Sequence, residues 1–223
     1  MDHPLSVMPA SAFELSLIAT QYRTNPLHNF FKDLNDRISM LHPDVLALLY
    51  HYGACARSPL LELGPYIGGS TISLARGAAD HGQSSKITTV EMGGRHDHPI
   101  YATSDIVQSL RANLRRYGVA ERVNLIVGHS HDQAVLDKVA KVFDSEGEFG
   151  CLIIDANGEV EDDLQVYRRF LAPKCYLVID DYYSPGASEK EEPTRRQLDA
   201  LVHERVVESF GVHGWGTWFG RFI

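Results

Sequence analysis

The sequence predicts an α/β fold, a doubly wound and mostly parallel sheet beneath an N-terminal helical cap. Three observations lead there. Five short apolar runs, PLLELG, KITTVE, RVNLIV, CLIID and CYLVID, are bounded by turn residues, as strands buried on both faces tend to be. Amphipathic segments separate them, and such alternation implies parallel strands covered by helices on both sides. At the end the rhythm breaks. RVVESFGVHG and GTWFGRFI are separated only by Trp215, too little for a helical crossover, so they should pair as an antiparallel hairpin.

Helical signals dominate the first 55 residues, so the cap is expected over 1–55 and the strand-bearing core over 56–223, the whole of 1–223 forming one domain. In TNPLHNFFKDLNDRISM, Asn25 is placed as N-cap and Pro26 at the first helical position. HPDVLALLYHYG reads as a short apolar helix ending at Gly53. SDIVQSLRANLRRYG puts Ile106, Val107, Leu110 and Leu114 on one face, with Ser104 before it and Gly118 after. VEDDLQVYRRFLAP crowds acids into its first turn, which suits the helix dipole. No repeat, low-complexity segment or long linker divides the chain.

Composition narrows the function. A formal net charge of −8 over 223 residues, with no basic stripe, argues against a nucleic-acid surface. Three cysteines, Cys55, Cys151 and Cys175, with no CxxC pair read as buried reduced thiols of a cytoplasmic protein. The start MDHPLSVMPASAFELSL lacks the basic and apolar regions of a signal peptide, and no apolar run reaches the ~18 residues of a membrane helix. No membrane partner is expected.

The chemistry concentrates in LLELGPYIGGST. In an open α/β sheet, ligands bind beyond the carboxyl ends of the strands. Here the first strand ends at Glu62, and Gly64-Pro65-Tyr66-Ile67-Gly68-Gly69 leads to a helix opening at Ser70. Glycines let a backbone approach a ligand closely. The second strand ends at Glu91, where an acid can accept from both hydroxyls of a ribose. A dinucleotide site wants G-x-G-x-x-G and a pyrophosphate at the helix start. The spacing here is Glu62-x-Gly64-x-x-x-Gly68, and a carboxylate beside the turn would repel phosphate but favour a cationic amino-acid tail. S-adenosyl-L-methionine carries a ribose, such a tail and a sulfonium, and no phosphate.

At this point the chain resembles the class I S-adenosylmethionine-dependent methyltransferases, and among them the catechol O-methyltransferase-like group. The resemblance spans roughly residues 43 to 188 and rests on LLELGPYIGGSTISLAR, ITTVEM, GVAERVNLIVGHSHD, LIIDANG and LVIDDYYSPGA in that order. It implies a Rossmann-like seven-stranded sheet in the order 3-2-1-4-5-7-6 with strand 7 antiparallel. By match to the motifs, Glu62, Gly64, Tyr66, Gly68 and Ser70 would surround the methionine part of the cofactor. Glu91 would hold the ribose, Met92 would lie against the adenine, and Ser130 with His129 and His131 would form the adenine rim.

Asp155 ends the fourth strand and Asp180-Asp181 the fifth, so three carboxylates should converge beside the cleft. Such a cluster is costly unless a hard divalent cation relieves the repulsion. The resemblance implies Mg²⁺ there, with Mn²⁺ or Ca²⁺ tolerated, and Asp155 serving metal, cofactor and catalysis together. The implied reaction is in-line methyl transfer to a hydroxyl of a small molecule: a secondary metabolite, a sugar or a catechol-like ring. The plainer alternative is that Asp180 and Asp181 cap a turn while Asp155 meets cofactor or solvent.

Two features depart from the group. Where the animal catechol enzymes place a lysine base, this chain has Gly158, which leaves His131 and Glu159 as candidates or leaves metal activation to suffice. The connection MGGRHDHPIYATSD is also long. Its His96-x-His98 lacks a third metal ligand and reads as a polar loop near the cofactor or a subunit contact of a homodimer. SEKEE reads as a solvated loop, and Trp215 and Trp218 as core or dimer packing. The competing functions are a metal-independent O- or N-methyltransferase, an NAD-dependent oxidoreductase and a non-catalytic cofactor-binding protein.

Overall fold

The computed structural model describes residues 7–184 and 188–223. The first six residues of the amino-terminal segment and residues 185–187 of LVIDDYYSPGA lie outside the described residues. In chain order the elements are α1 (Ala12–Arg23), α2 (His28–Arg37), α3 (Pro43–Cys55), β1 (Leu60–Leu63), α4 (Gly69–Asp80), β2 (Ile87–Glu91) and α5 (Ile106–Arg116). They continue as β3 (Val123–Val127), α6 (Gln133–Glu146), β4 (Phe149–Ile154), α7 (Val160–Tyr167), β5 (Leu171–Ile179), α8 (Glu191–His203), β6 (Val207–His213) and β7 (Thr217–Phe222).

The seven strands form one sheet in the order β3-β2-β1-β4-β5-β7-β6. Pairing is parallel from β3 through β5, and β7 runs antiparallel to both β5 and β6. The terminal hairpin read from the short Trp215 connection is therefore present. Every residue of β1 and β2 is buried, the polar Glu62, Thr88, Thr89 and Glu91 included, which is why neither strand shows the alternation of a half-exposed one. Alternate residues still divide between the two faces. Leu60 joins a cluster with Phe31, Tyr50, Ile72 and Leu110, whereas Leu61 and Leu63 join one with Val139, Tyr167 and Leu198. Helices thus cover both faces.

The boundaries moved where tertiary contact outweighs local signals. Asn25 does not cap α2; its Oδ1 accepts from the Leu27 amide at 2.9 Å, closing a turn that precedes the helix at His28. The cap of α5 is Asp105 rather than Ser104, its carboxylate accepting from the Gln108 amide at 2.9 Å. Gly53 does not terminate α3, which runs to Cys55. It marks a helix crossing instead. A Cβ at Gly53 would lie 2.0 Å from the Leu74 carbonyl oxygen, and one at Gly77 would lie 1.9 Å from that of Tyr50. Two glycines therefore let α3 and α4 touch backbone to backbone, which docks the amino-terminal helices onto the sheet.

Trp218 is buried in β7, while Trp215 at the hairpin turn is half-exposed with its ring edge against His42. All three cysteines are buried, and none is in a disulfide among the described residues. No described helix is long and apolar enough to cross a membrane.

The crossing yields a test. Gly53→Ala raises helix propensity by roughly 1 kcal/mol but forces the helices apart, so a net loss of about 2 kcal/mol is expected. Urea denaturation would read it as a lower midpoint at unchanged slope. A more stable variant would mean that the two helices can separate freely.

Candidate active site

The site begins where β1 stops. Gly64 takes φ +80°, and a Cβ there would lie 2.0 Å from the carbonyl oxygen of Asp155, so the turn after β1 is pressed against the end of β4. Tyr66 follows at φ 53°, a left-handed conformation that aims its amide at the neighbouring strand. That amide donates to Glu91 Oε2 at 3.1 Å, and the Gly93 amide donates to Oε1 at 2.8 Å. Burial pushes the Glu91 carboxyl up, and these amides oppose the shift. Two amides leave half of the four acceptor positions of a carboxylate for a ligand.

Glu62 lies deeper, 1% exposed. The Thr71 hydroxyl donates to its Oε2 at 2.5 Å, while Oε1 is buried without a hydrogen-bond partner. Burial raises its pKa, opposed by nearby hydroxyls. An unsatisfied buried acceptor of this kind costs roughly 1–3 kcal/mol.

A cleft of about 570 Å³ opens above these residues. Gly64, Tyr66, Glu91, Met92, His129, Ser130 and Asp155 line it, as do Met40, His96, Asn157 and Lys190. Met92 is 70% exposed and Met40 42%, so two apolar side chains wait uncovered at its rim. Of the other expected residues, Glu62, Gly68 and Ser70 sit behind the bend and do not line the cleft. His131 does not line it either. Its Nε2 is 2.8 Å from Asp163 Oδ1, so the imidazole is engaged with α7, and Glu159 is tied to the Asn157 amide at 2.6 Å. Neither candidate base is brought to the aspartates.

Parallel register brings the acids together. The Asp155 amide donates to the Leu63 carbonyl and the Asp180 amide to the Ile154 carbonyl, both at 2.9 Å, which sets neighbouring strand ends side by side. Oxygens of Asp155, Asp180 and Asp181 lie within 4.8 Å of one another, the one such metal-competent group among the described residues. The Thr217 hydroxyl from β7 donates to Asp180 at 2.5 Å. Burial, then the charge of Asp180, pushes the Asp155 carboxyl well up; burial also raises Asp180.

Sequence reasoning missed Lys190. SEKEE, read as a solvated loop, instead directs this lysine inward, its Nζ 3.4 Å from Asp181 and 3.8 Å from Asp155. Burial would lower its pKa, but the carboxylates of Asp155 and Asp181 outweigh burial and hold it raised. The available signal was a lone lysine among acids shortly after the fifth strand, facing a cluster in need of positive charge. His98 Nδ1 accepts from the amides of Ile100 and Tyr101, and the loop joins the cap where the Tyr101 hydroxyl donates to the Asn35 carbonyl.

A sheet in this strand order, with a glycine bend and acids at its carboxyl edge, is the arrangement that the methyltransferase resemblance implied. A family model described as a methyltransferase domain matches residues 61–182, over half of the chain, and the protein belongs to that family. A catechol O-methyltransferase from Mycobacterium tuberculosis (strain ATCC 25618 / H37Rv) is 30% identical over 166 residues. That match covers 72% of this chain and 63% of the relative, so the chain spans less than two thirds of the relative's length. Among solved structures, cofactor-bound Rv0187 from MTB matches with a TM-score of 0.61 at 23% identity, covering 95% of this chain and 89% of that one. The O-methyltransferase TomG from Streptomyces achromogenes, involved in tomaymycin synthesis and in complex with SAM, matches at 0.59 and 18% identity, covering 97% and 91%. These two share the fold.

Glu62 supplies a pH test. Its raised pKa means that the folded state binds this proton more tightly than the unfolded chain. The stability it contributes is complete below the ordinary glutamate value and is lost as pH rises through the folded value. Glu62→Gln should therefore gain in Tm over the wild type as pH rises above the ordinary glutamate value of about 4.3. A pH-independent difference would contradict the buried, uncompensated carboxylate.

Proposed function

We propose that the protein is an S-adenosylmethionine-dependent O-methyltransferase that acts on a small hydroxylated molecule and uses a divalent cation at Asp155, Asp180 and Asp181. The observation that carries this reading is the one cleft shared by the glycine bend, Glu91 and Asp155. Its volume is in the range of small-molecule sites.

In this reading Glu91 takes the ribose hydroxyls with the acceptor positions its amides leave free. Met92 and Met40 cover the adenine, and His129 and Ser130 form its rim. Glu62, Gly68 and Ser70 act from behind the bend, setting the negative field toward which a cationic amino-acid tail is drawn, while Gly64 and Tyr66 face that tail. His131, held by Asp163, positions the 129–131 loop rather than exchanging the substrate proton.

The carboxylate set suits a hard cation such as Mg²⁺, Mn²⁺ or Ca²⁺, because three oxygens from two strand ends lie close enough to share one ion. Bound there, it would act as a Lewis acid toward neighbouring oxygens of the acceptor. The chain's own contribution is alignment: the ends of β4 and β5 fix where an acceptor hydroxyl must lie relative to the donor. The ammonium of Lys190 beside these aspartates favours a second reading, a transferase that works without metal.

Calorimetry with S-adenosylhomocysteine should show binding that Glu91→Ala weakens at least about tenfold, the loss of charge-assisted hydrogen bonds. Absence of binding by the wild type would remove the cofactor assignment. Methyl transfer to a panel of diols, after EDTA and again after Mg²⁺, separates the two readings: full activity in EDTA would leave the metal-independent one.

A further inference from the structure

Lys190 is seated, not merely nearby. Its Cβ and Cα pack over Gly158, where an added Cβ would lie 3.2 and 3.3 Å from them, so the bare glycine makes the place for this residue. The Lys190 amide donates to Ser188 Oγ at 3.2 Å, and its carbonyl accepts from the Thr194 amide at 3.0 Å as α8 begins. The root of the side chain is thereby fixed and only the stem moves. From that root the ammonium bridges Asp181 and Asp155, on the side of the aspartates that faces the cleft.

We propose that Lys190 is a tethered competitor of the divalent cation: its ammonium neutralises Asp155 and Asp181 in the metal-free protein and withdraws toward solvent when the ion binds. The inference rests on the reading that these aspartates hold a cation.

The electrostatics favour exchange over joint occupancy. Three clustered carboxylates repel one another, and an ammonium within 4 Å of two of them relieves that repulsion. A divalent ion on the same oxygens relieves it further but repels the ammonium, which lies well within a Debye length, too close for salt to screen. A lysine stem is flexible, its head is well hydrated, and this one is 38% exposed, so a way out exists. The apparent metal affinity is then reduced by the fraction of molecules whose lysine has withdrawn. Ion binding in turn releases a cation at the wall of the cleft, beside Asn157 and Glu189.

The test is a Mn²⁺ titration of wild type, Lys190→Met and Lys190→Arg, followed by electron paramagnetic resonance of free Mn²⁺. Lys190→Met should bind about tenfold more tightly than wild type, and Lys190→Arg should not. Without metal, Lys190→Met should melt below wild type, and Mn²⁺ should raise its Tm more than it raises that of wild type. Equal or weaker binding by a Lys190→Met protein with native circular dichroism overturns the proposal and leaves the cation reading in place.

A second measurement needs no variant. Acetylation of Lys190 by acetic anhydride, followed by mass spectrometry, should be several-fold faster with saturating Mn²⁺; an unchanged or slower rate overturns the proposal. If Mn²⁺ binds neither wild type nor Lys190→Met, the proposal and the cation reading fail together, while S-adenosylhomocysteine calorimetry still reports on the cofactor reading.

Discussion

The carbonyl oxygen of Asp155 occupies the space where a side chain at position 64 would begin, and much of the site follows from that contact. It requires glycine at 64, and it holds the bend after β1 against the end of β4. From there Tyr66 reaches Glu91 across one strand gap, while Asp155 reaches the Asp180-Asp181 pair across the other. The Glu91 side of the cleft and the aspartate cluster thus share one backbone contact. A parallel sheet makes this economical, since all of its carboxyl ends face the same way.

The same arrangement concentrates charge that folding alone would avoid. Glu62, Glu91, Asp155 and Asp180 all have pKa values raised first by burial, so each would fold more easily uncharged. Glu91 and Asp155 line the cleft while Glu62 and Asp180 lie behind and beside it, and perturbed carboxyls so grouped are the pattern of a site whose ligands carry the compensating charge. Lys190 supplies part of that charge from within the chain, and backbone amides supply part for Glu91.

The helical cap is tied to this edge rather than set beside it. Gly53 and Gly77 bring α3 and α4 into backbone contact, and α4 starts at the glycine bend. The hydroxyl of Tyr66 donates to the Tyr101 carbonyl, and the hydroxyl of Tyr101 to the Asn35 carbonyl near the end of α2, linking bend, long loop and α2. Asn113 adds α5 by donating to the Ile67 carbonyl at 2.9 Å. Met40, from the connection between α2 and α3, then reaches the rim of the cleft. A change in the cap is in this way a change in the wall of the site.

Much of this could be read from the residues in order. Apolar runs ending in acids mark parallel strands and their carboxyl tips, because burial on both faces demands one and ligand chemistry the other. The short connection at Trp215 excludes a crossover, so the antiparallel hairpin was legible too. What the chain in order could not show was direction. Whether His131 faces the cleft or Asp163, whether Gly53 stops a helix or admits another, and whether Lys190 is solvated or seated over Gly158 depend on elements distant in sequence. Local pattern determines which backbone forms, since its forces act within a few residues. Side-chain destination is decided by whichever partner packing brings within a few ångströms, and only the tertiary structure holds that.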